Sequence, residues 1–457
     1  MMKKTNILAV VALSLAMGGC GIYKKYELPT DNAVINDYRT ALSETPDSTS
    51  LPYLGWRQVF TDPQLQTLIQ TAIDNNKDLY NAALNVDIAA AQLKGAKLSY
   101  FPAVSFAPNG AGASYGGANM NWSYTIPVSV SWEVDIFGKI LNRKRGAQMS
   151  LEQARDSRDM AQSRLVCGVA STYYALVMLN QQLALTQRTS EIWKEQVESM
   201  KLMKDAGMVT EAAVVQSEAN YYNILSTIPD LEESIHSTQN ALSLLLNTYP
   251  QKWQVTSDLD FSLPDSLIEG LPVTYLAARP DVRAAERGFA AAYYATNQAR
   301  ANFYPNLVIS SQGGFTNLMG AIVNPGKWFI QLAGQLTAPI FSRGQNIATL
   351  EAAKASQQIA LNNFQYSILN AAGEVSDALI KYKKNHEKRL QVEKQVEALE
   401  KSVEYTEELL SFGQSTTYLE VLTARSGLLQ AQLTSLACWH NKVTAIIELY
   451  QAAGGGR

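Results

Sequence analysis

The sequence predicts a mainly α-helical protein made of two tandem structural repeats, with four β-strands per chain suited to a share in a transmembrane β-barrel. Three observations predict it. The stretch Arg279-Pro-Asp-Val-Arg-Ala-Ala-Glu286 through Pro305 is a second edition of Asp78 through Pro102: with Asp78 set on Asp281, Ala82 falls on Ala285, Ala89 on Ala292, Ala96 on Ala299 and Pro102 on Pro305, without a gap. Two stretches, Gly138–Asp205 and Gly344–Ser411, are almost free of helix breakers; helices of that length run to about 100 Å and far exceed the ~12 residues of an average globular helix. Between the helical stretches the apolar period drops to two.

The repeat is about 200 residues long, against 20–50 for a solenoid unit, so it reads as a duplicated half-molecule. Further landmarks agree: Asp135-Ile-Phe-Gly138 matches Pro339-Ile-Phe-Ser342, and Ala206-Gly207 matches Phe412-Gly413. The domain reading is a signal segment over 1–19, an extended arm and equatorial region over 20–60, a first repeat over 61–250 with its strand pair at 103–135, an equatorial linker over 251–272, and a second repeat over 273–457 with its strand pair at 306–341.

The chain opens Met1-Met-Lys-Lys, continues with an apolar run from Ile7 to Met17, and reaches Gly18-Gly19-Cys20. A basic head, an apolar middle and a small-residue cleavage site make a secretory signal. A Cys directly after the small residues resembles a bacterial lipoprotein signal, with Cys20 as the lipidated first residue. Cleavage removes Lys3 and Lys4, which takes the formal charge from −3 to about −5. No later apolar run approaches the 18 or so residues of a spanning helix, so a mature chain that crosses a membrane must do so with strands.

Past a polar, Pro-containing arm, Thr61 or Asp62 is placed to cap a helix with Pro63 in its first turn. Leu65, Leu68, Ile69, Ala72 and Ile73 follow at helical spacing, and an Ala-rich helix from Asp78 ends before Pro102. Ala103 to Ala113 then reads as one strand, Tyr115-Gly-Gly-Ala-Asn119 as a turn, and Ile126 to Asp135 as the partner strand, with Ile126, Val128, Val130, Trp132 and Val134 on one face. In the second repeat Asn306 to Phe315 forms one strand; Ile330, Leu332, Gly334, Leu336 and Ala338 share a face of the other. Trp122, Tyr124, Trp328 and Phe329 cluster at strand ends, as aromatic girdles do, though a soluble sandwich fits the same pattern. In the second long helix, Val392, Val396, Leu399, Val403, Thr406 and Leu410 step by 4 and 3, as do Leu429, Leu433, Leu436, His440, Val443, Ile447 and Tyr450 in its return helix. These are seams of antiparallel coiled coil.

Unpaired strand edges are not tolerated in lipid, and four strands are too few to close a barrel. Spanning strands therefore require a homo-oligomer sharing 8, 12 or 16 strands for two, three or four chains, and counting does not choose among them.

Other chemistry is thin. The balance of 38 Lys+Arg against 41 Asp+Glu gives no basic surface for nucleic acid. His236, His386 and His440 lack metal-like spacing, and His440, on a seam, is expected to be a satisfied packing residue. Cys167 and Cys438 are expected to be buried free thiols. No Ser, Cys or carboxylate stands in a catalytic setting, so neither an enzyme nor a cofactor is expected.

Arg279–Glu286, Asp135–Gly138, Gly373-Glu-Val-Ser-Asp-Ala-Leu379, Tyr418-Leu-Glu-Val-Leu-Thr-Ala424 and Leu449-Tyr-Gln-Ala-Ala-Gly-Gly-Gly456 resemble the outer membrane efflux protein family, the TolC-like exit ducts, in its lipoprotein branch. The resemblance runs in order over the whole mature chain. It implies a homotrimer with one shared 12-stranded barrel in outer membrane lipid above a periplasmic tunnel of coiled-coil helices. It also implies a periplasmic adaptor (membrane fusion) protein and an inner-membrane RND-type transporter as partners. Family members often carry Asp where this chain has Thr423, so the periplasmic aperture candidates are Glu420 and Thr423. The hairpin tips expected to touch the adaptor are Gly207, Met208, Val209, Gly413, Gln414 and Ser415. Two other readings compete: a structural or adhesive coiled-coil surface lipoprotein, which would not need the alternating strands, and an exit duct for secreted protein.

Overall fold

The computed structural model describes residues 23–30, 32–44, 50–114, 116–117, 119–257, 259, 261, 263–264, 275–317, 327–411 and 418–456. Cys20 and the signal segment, and the tip residues Gly413, Gln414 and Ser415, lie outside the described residues. The helices are α1 (Ala33–Ser43), α2 (Trp56–Val59), α3 (Pro63–Asn75), α4 (Lys77–Leu98), α5 (Lys139–Asp205), α6 (Glu211–Leu245), α7 (Tyr275–Ala278), α8 (Pro280–Ala301), α9 (Gln345–Ser411) and α10 (Tyr418–Ala452). The strands are β1 (Ala103–Phe106), β2 (Asn109–Ala113), β3 (Asn121–Val134), β4 (Asn306–Thr316) and β5 (Lys327–Thr337). The duplication appears as matched lengths: 22 residues in α4 and α8, 67 in α5 and α9, and 35 in α6 and α10. Among the described residues no helix is long and apolar enough to cross a membrane.

The chain divides into two compact units, one of residues 1–31, 84–156 and 283–366, the other of 32–83, 157–282 and 367–457. The first holds the sheet. Its order is β1-β3-β4-β5, with β2 also on β3, all antiparallel. β1 and β2 share one register line, Phe106 opposite Val128 and Asn109 opposite Thr125, so they are one strand interrupted at Ala107-Pro108. Continuing the register sets Ala107 opposite Pro127. Neither proline has an N–H to give to the ladder, and the strand breaks where the two meet. The connection after β2 carries Gly116 and Gly117 at φ +64° and +81°, left-handed conformations that glycine adopts without strain. Gly314 faces Pro127, and a Cβ there would stand 1.9 Å from the Ile126 carbonyl oxygen, so β4 approaches β3 only as glycine.

Strand passes to long helix through glycines in both repeats. Gly138 and Gly344 have φ +71° and +76°, and the Asp135 carboxylate accepts from the backbone N–H of Ile140 at 3.0 Å and Leu141 at 2.7 Å, capping α5.

In the second unit, Asp62 is the cap of α3, accepting from Gln64 N at 2.7 Å and Leu65 N at 3.4 Å with Pro63 in the first turn. The core there joins Phe60, Leu65, Ile69, Tyr173, Tyr174, Leu246, Trp439 and Tyr450. The predicted seam positions of α9 are buried or half-buried, as are those of α10, where Val443, Ile447 and Tyr450 are fully buried. A second buried stripe on α10 was not anticipated: Ala424, Ala431, Cys438, Ala445 and Ala452 recur every seven residues, all small. Cys167 and Cys438 are buried free thiols, and burial pushes the Cys167 thiol up to about 12.

Two expectations change. The arm, read as extended, contains α1: Asn32 accepts from Val34 N and Ile35 N, and Ile35, Tyr38 and Ala41 bury one face three residues apart. His440 lies on the seam, but its buried Nε2 has no hydrogen-bond partner among the described residues, and desolvation lowers its pKa below the usual 6.5.

Candidate functional site

In an antiparallel sheet directly opposed residues share a face, and the register sorts the four-strand sheet into two chemistries. One face runs in rows across β3, β4 and β5: Ile126–Phe315–Trp328, Val128–Gly313–Ile330, Val130–Ser311–Leu332, Trp132–Ile309–Gly334 and Val134–Leu307–Leu336. Val104 and Phe106 extend it through Val130 and Val128. The opposite face carries Thr125–Thr316–Lys327, Pro127–Gly314–Phe329, Ser129–Gln312–Gln331, Ser131–Ser310–Ala333 and Glu133–Val308–Gln335, with Ser105 beside Ser129. Its charges stand only at the ends, Lys327 at one and Glu133 at the other, where Glu133 meets Lys139 at 3.5 Å. Trp328, Ile330 and Leu332 on the apolar face are more than 70% exposed in one chain. Water does not favour a contiguous apolar face of this size; lipid does.

The arm that follows position 20 is fastened to this unit. The Tyr26 ring meets Phe289 at 5.5 Å and Tyr293 at 5.8 Å, and the Tyr293 hydroxyl donates to Lys24 O at 3.3 Å. Beside it Arg283 pairs with buried Asp156, and burial raises the pKa of Glu286. Sequence reasoning missed this clasp; the cue available was the run of aromatics at Phe289, Tyr293 and Tyr294, one turn apart.

At the far end of α5, Gly207 takes φ +76°, and the Met208 N–H reaches back to Met203 O at 2.9 Å, satisfying the helix end. Met208 is 72% exposed, while Val209 tucks against a cluster of Trp193, Met200, Val214, Ile224, Tyr418 and Leu422. That cluster joins the α5–α6 hairpin to the start of α10. Lys204 pairs with Glu211 across the turn, and Lys201 with Glu218 at 2.8 Å. Glu420 and Thr423 both lie in the first turns of α10, three residues apart and exposed, while Tyr418, Val421, Leu422 and Ala424 are buried. The two are thus neighbours on one face; Thr423 Oγ1 donates to Leu419 O at 2.8 Å. Two residues past Thr423, Arg425 bridges to Glu407 of α9 at 2.6 Å.

Three of the sequence motifs converge in the second unit. Arg279, its side chain 5% exposed, donates to both Asp281 oxygens at 3.0 and 2.5 Å, to Glu374 at 2.6 Å and to Ala452 O at 2.7 Å. Ser163 Oγ donates to Gly455 O at 2.5 Å. Gly454 and Gly456 have φ +91° and +88°, and a Cβ on Gly455 would fall into the Tyr450 ring at 2.1 Å. The glycine-rich end is therefore a backbone fitted into a packed site. Among the described residues no cluster of His, Cys, Asp and Glu could hold a metal ion.

Residues 68–248 and 271–455 match the family model described as outer membrane efflux protein. The chain is 29% identical to the toluene efflux pump outer membrane protein TtgC of Pseudomonas putida, over 99% of this chain and 96% of that one. It is 27% identical to the cation efflux system protein CusC of Escherichia coli, over 97% of each. Among solved structures, the outer-membrane channel OprN superposes with a TM-score of 0.84 at 23% identity, covering 95% of this chain and 99% of that one.

Proposed function

The chain belongs to the outer membrane efflux protein family, and from that premise we propose that three copies close one 12-stranded barrel and form the exit duct of a tripartite efflux system. The duct conducts passively: substrates enter from a periplasmic adaptor and an inner-membrane RND-type transporter and leave at the cell surface. The observation that carries this reading is the two-faced sheet with one edge on β1/β2 and the other on β5. Each edge presents unpaired backbone groups that lipid does not tolerate, and joining the edges of neighbouring copies removes them. The apolar face then meets lipid, and the Ser, Thr and Gln face lines the passage.

Cys20 is the lipidated residue in this reading, with the Tyr26 clasp holding the arm that follows it. Gly207, Met208 and Val209, with Gly413, Gln414 and Ser415, form the tips that dock the adaptor. Glu420 and Thr423 face the aperture between the three copies. Toluene and cations are named for relatives; in this chain the polar face of the sheet is uncharged between Glu133 and Lys327, which suits solutes of mixed charge.

Reconstitution of the purified protein in planar bilayers tests the duct. Discrete conductance steps are expected. Glu420→Gln should change step size or cation preference; unchanged conductance and selectivity would remove Glu420 from the aperture, and absence of any conductance from wild type and variants alike would defeat the duct.

A further inference from the structure

A groove of about 340 Å³ runs between α5, α6 and α10, all within the second unit, lined by Gln182, Thr186, Trp193, Asn220, Asp230 and Leu429 among others. That volume lies in the range of small-molecule sites. Its walls are mostly amide and hydroxyl groups with a few branched apolar side chains. Asp230 is the only charged residue lining it among the described residues.

Two features say that the polarity is not there for packing. Trp193 and Thr186 are each 1% exposed, and neither Trp193 Nε1 nor Thr186 Oγ1 has a hydrogen-bond partner among the described residues. A buried donor left unpaired destabilises the fold. The duplication supplies an internal comparison. α5 and α9 have equal length, so Thr186, Ser190 and Trp193 occupy the helix positions that Val392, Val396 and Leu399 hold in α9. In α9 those positions are an apolar seam. In α5 the same seam carries two hydroxyls and an indole, and two of the three polar groups go unpaired. On the opposite wall, α6 contains Pro229 within the helix. A proline there removes the bond to the carbonyl four residues back and bends the helix, next to the lining residues Thr227, Asp230 and Leu231.

We propose that this groove is a binding site for a small amphiphilic amine. Trp193 Nε1–H or Thr186 Oγ–H, each unpaired among the described residues, donates to a neutral acceptor oxygen of the ligand, a carbonyl or ether. Trp193, Ile224, Leu231 and Leu429 hold its flat apolar body, and Asp230 receives its ammonium at the mouth. Carboxylates and phosphates are excluded, because no Lys or Arg lines the groove and Asp230 repels them.

Tetracaine, a tertiary amine joined to an aromatic ester, is a suitable probe, titrated by calorimetry into the full-length protein held in lipid nanodiscs; 4-(butylamino)benzoate, which lacks the tertiary ammonium and is an anion, is the control. Saturable binding of tetracaine and none of the benzoate is expected. Trp193→Phe keeps the aromatic wall and deletes the donor; Thr186→Val copies the α9 seam. Each should weaken binding about three- to tenfold, the value of one hydrogen bond, while native mass shows assembly unchanged from wild type. Asp230→Asn should weaken tetracaine and relieve the exclusion of benzoate. No saturable tetracaine binding, or binding that none of the three variants alters, overturns the proposal. Conductance in planar bilayers reads the duct separately, so either reading can fail alone.

Discussion

Leu332→Arg isolates the assignment of the two faces of the sheet. Leu332 is the sixth of the eleven residues of β5 and stands in the row Val130–Ser311–Leu332, where Ser311 is likewise sixth of eleven in β4. Eleven residues at about 3.4 Å each span roughly 34 Å between end Cα atoms. Tilted by about 40°, they rise about 26 Å, close to the ~25 Å apolar band of outer-membrane barrels. Leu332 is thus at the midplane. Arginine facing lipid there costs about 2–4 kcal/mol per chain, hence about 6–12 kcal/mol for a barrel holding three copies. Gln331, one residue earlier, faces the other way and pairs with Gln312, so Gln331→Arg should cost little. Both variants are refolded into lipid vesicles across a urea series, with the folded fraction read by gel mobility without heating. The expected result is a large fall in midpoint for Leu332→Arg and a small one for Gln331→Arg. A fall for Gln331→Arg as large as or larger than that for Leu332→Arg would reverse the assignment of the two faces.

Gly314→Ala drives a Cβ to 1.9 Å from the Ile126 carbonyl, whereas Gly313→Ala meets its nearest atom at 3.5 Å; the first should abolish folding of the sheet, by more than about 3 kcal/mol, and the second should fold, as read by the same gel. Arg279→Lys should not rescue what Arg279→Ala loses, because one ammonium cannot serve both Asp281 oxygens, Glu374 and Ala452 O; a loss of about 3–5 kcal/mol for Arg279→Ala is expected in urea unfolding followed by circular dichroism. His440 has a lowered folded-state pKa from desolvation, so its contribution is present above the unfolded value of 6.5 and is lost as pH falls through the lower folded value. His440→Gln should therefore reduce the drop in urea midpoint between pH 7.5 and pH 5, and an unchanged drop would place the acid sensitivity elsewhere. Cys20→Ser should remove the acyl mass from the mature N-terminus in mass spectrometry, with trimers retained.

What was legible in the sequence was what depends on neighbours along the chain. Period two over β3 and β5, the breaker-free lengths of α5 and α9, and Asp62-Pro63 at the head of α3 are local facts, and local physics suffices for them. α1 carried the same kind of signal, Asn32 followed by Ile35, Tyr38 and Ala41, but the charged and proline-bearing sequence around it reads as an arm. The break between β1 and β2 needed two prolines, Pro108 and Pro127, to be placed across a ladder, and only the register does that. His440 shows the limit clearly. Its seam position follows from spacing, but whether Nε2 finds an acceptor depends on what faces it. The meeting of Arg279 with Glu374 and the Ala452 carbonyl joins residues about 95 and 173 apart in sequence, a distance over which no periodicity speaks.

Charged residues make up 17% of this chain, against about 25% in ordinary soluble domains. The shortfall has a location. On α9, Ile359 and Tyr366 are 60% and 70% exposed in one chain, and on α4, Tyr80 and Ile88 are 60% and 56% exposed. Neither helix lies in the barrel wall, so lipid does not cover these side chains. Water would leave each large apolar side chain about 1.5–3 kcal/mol short of its buried state. In the proposed assembly of three copies they are covered, which would also account for how little α9 buries against its own chain. Ile359→Asp places a charge on that surface without touching the sheet. Native mass measurement in mild detergent should then show monomer where wild type shows trimer. Trimer as the sole species for Ile359→Asp would mean that this face of α9 looks into water and that the covering argument fails for it.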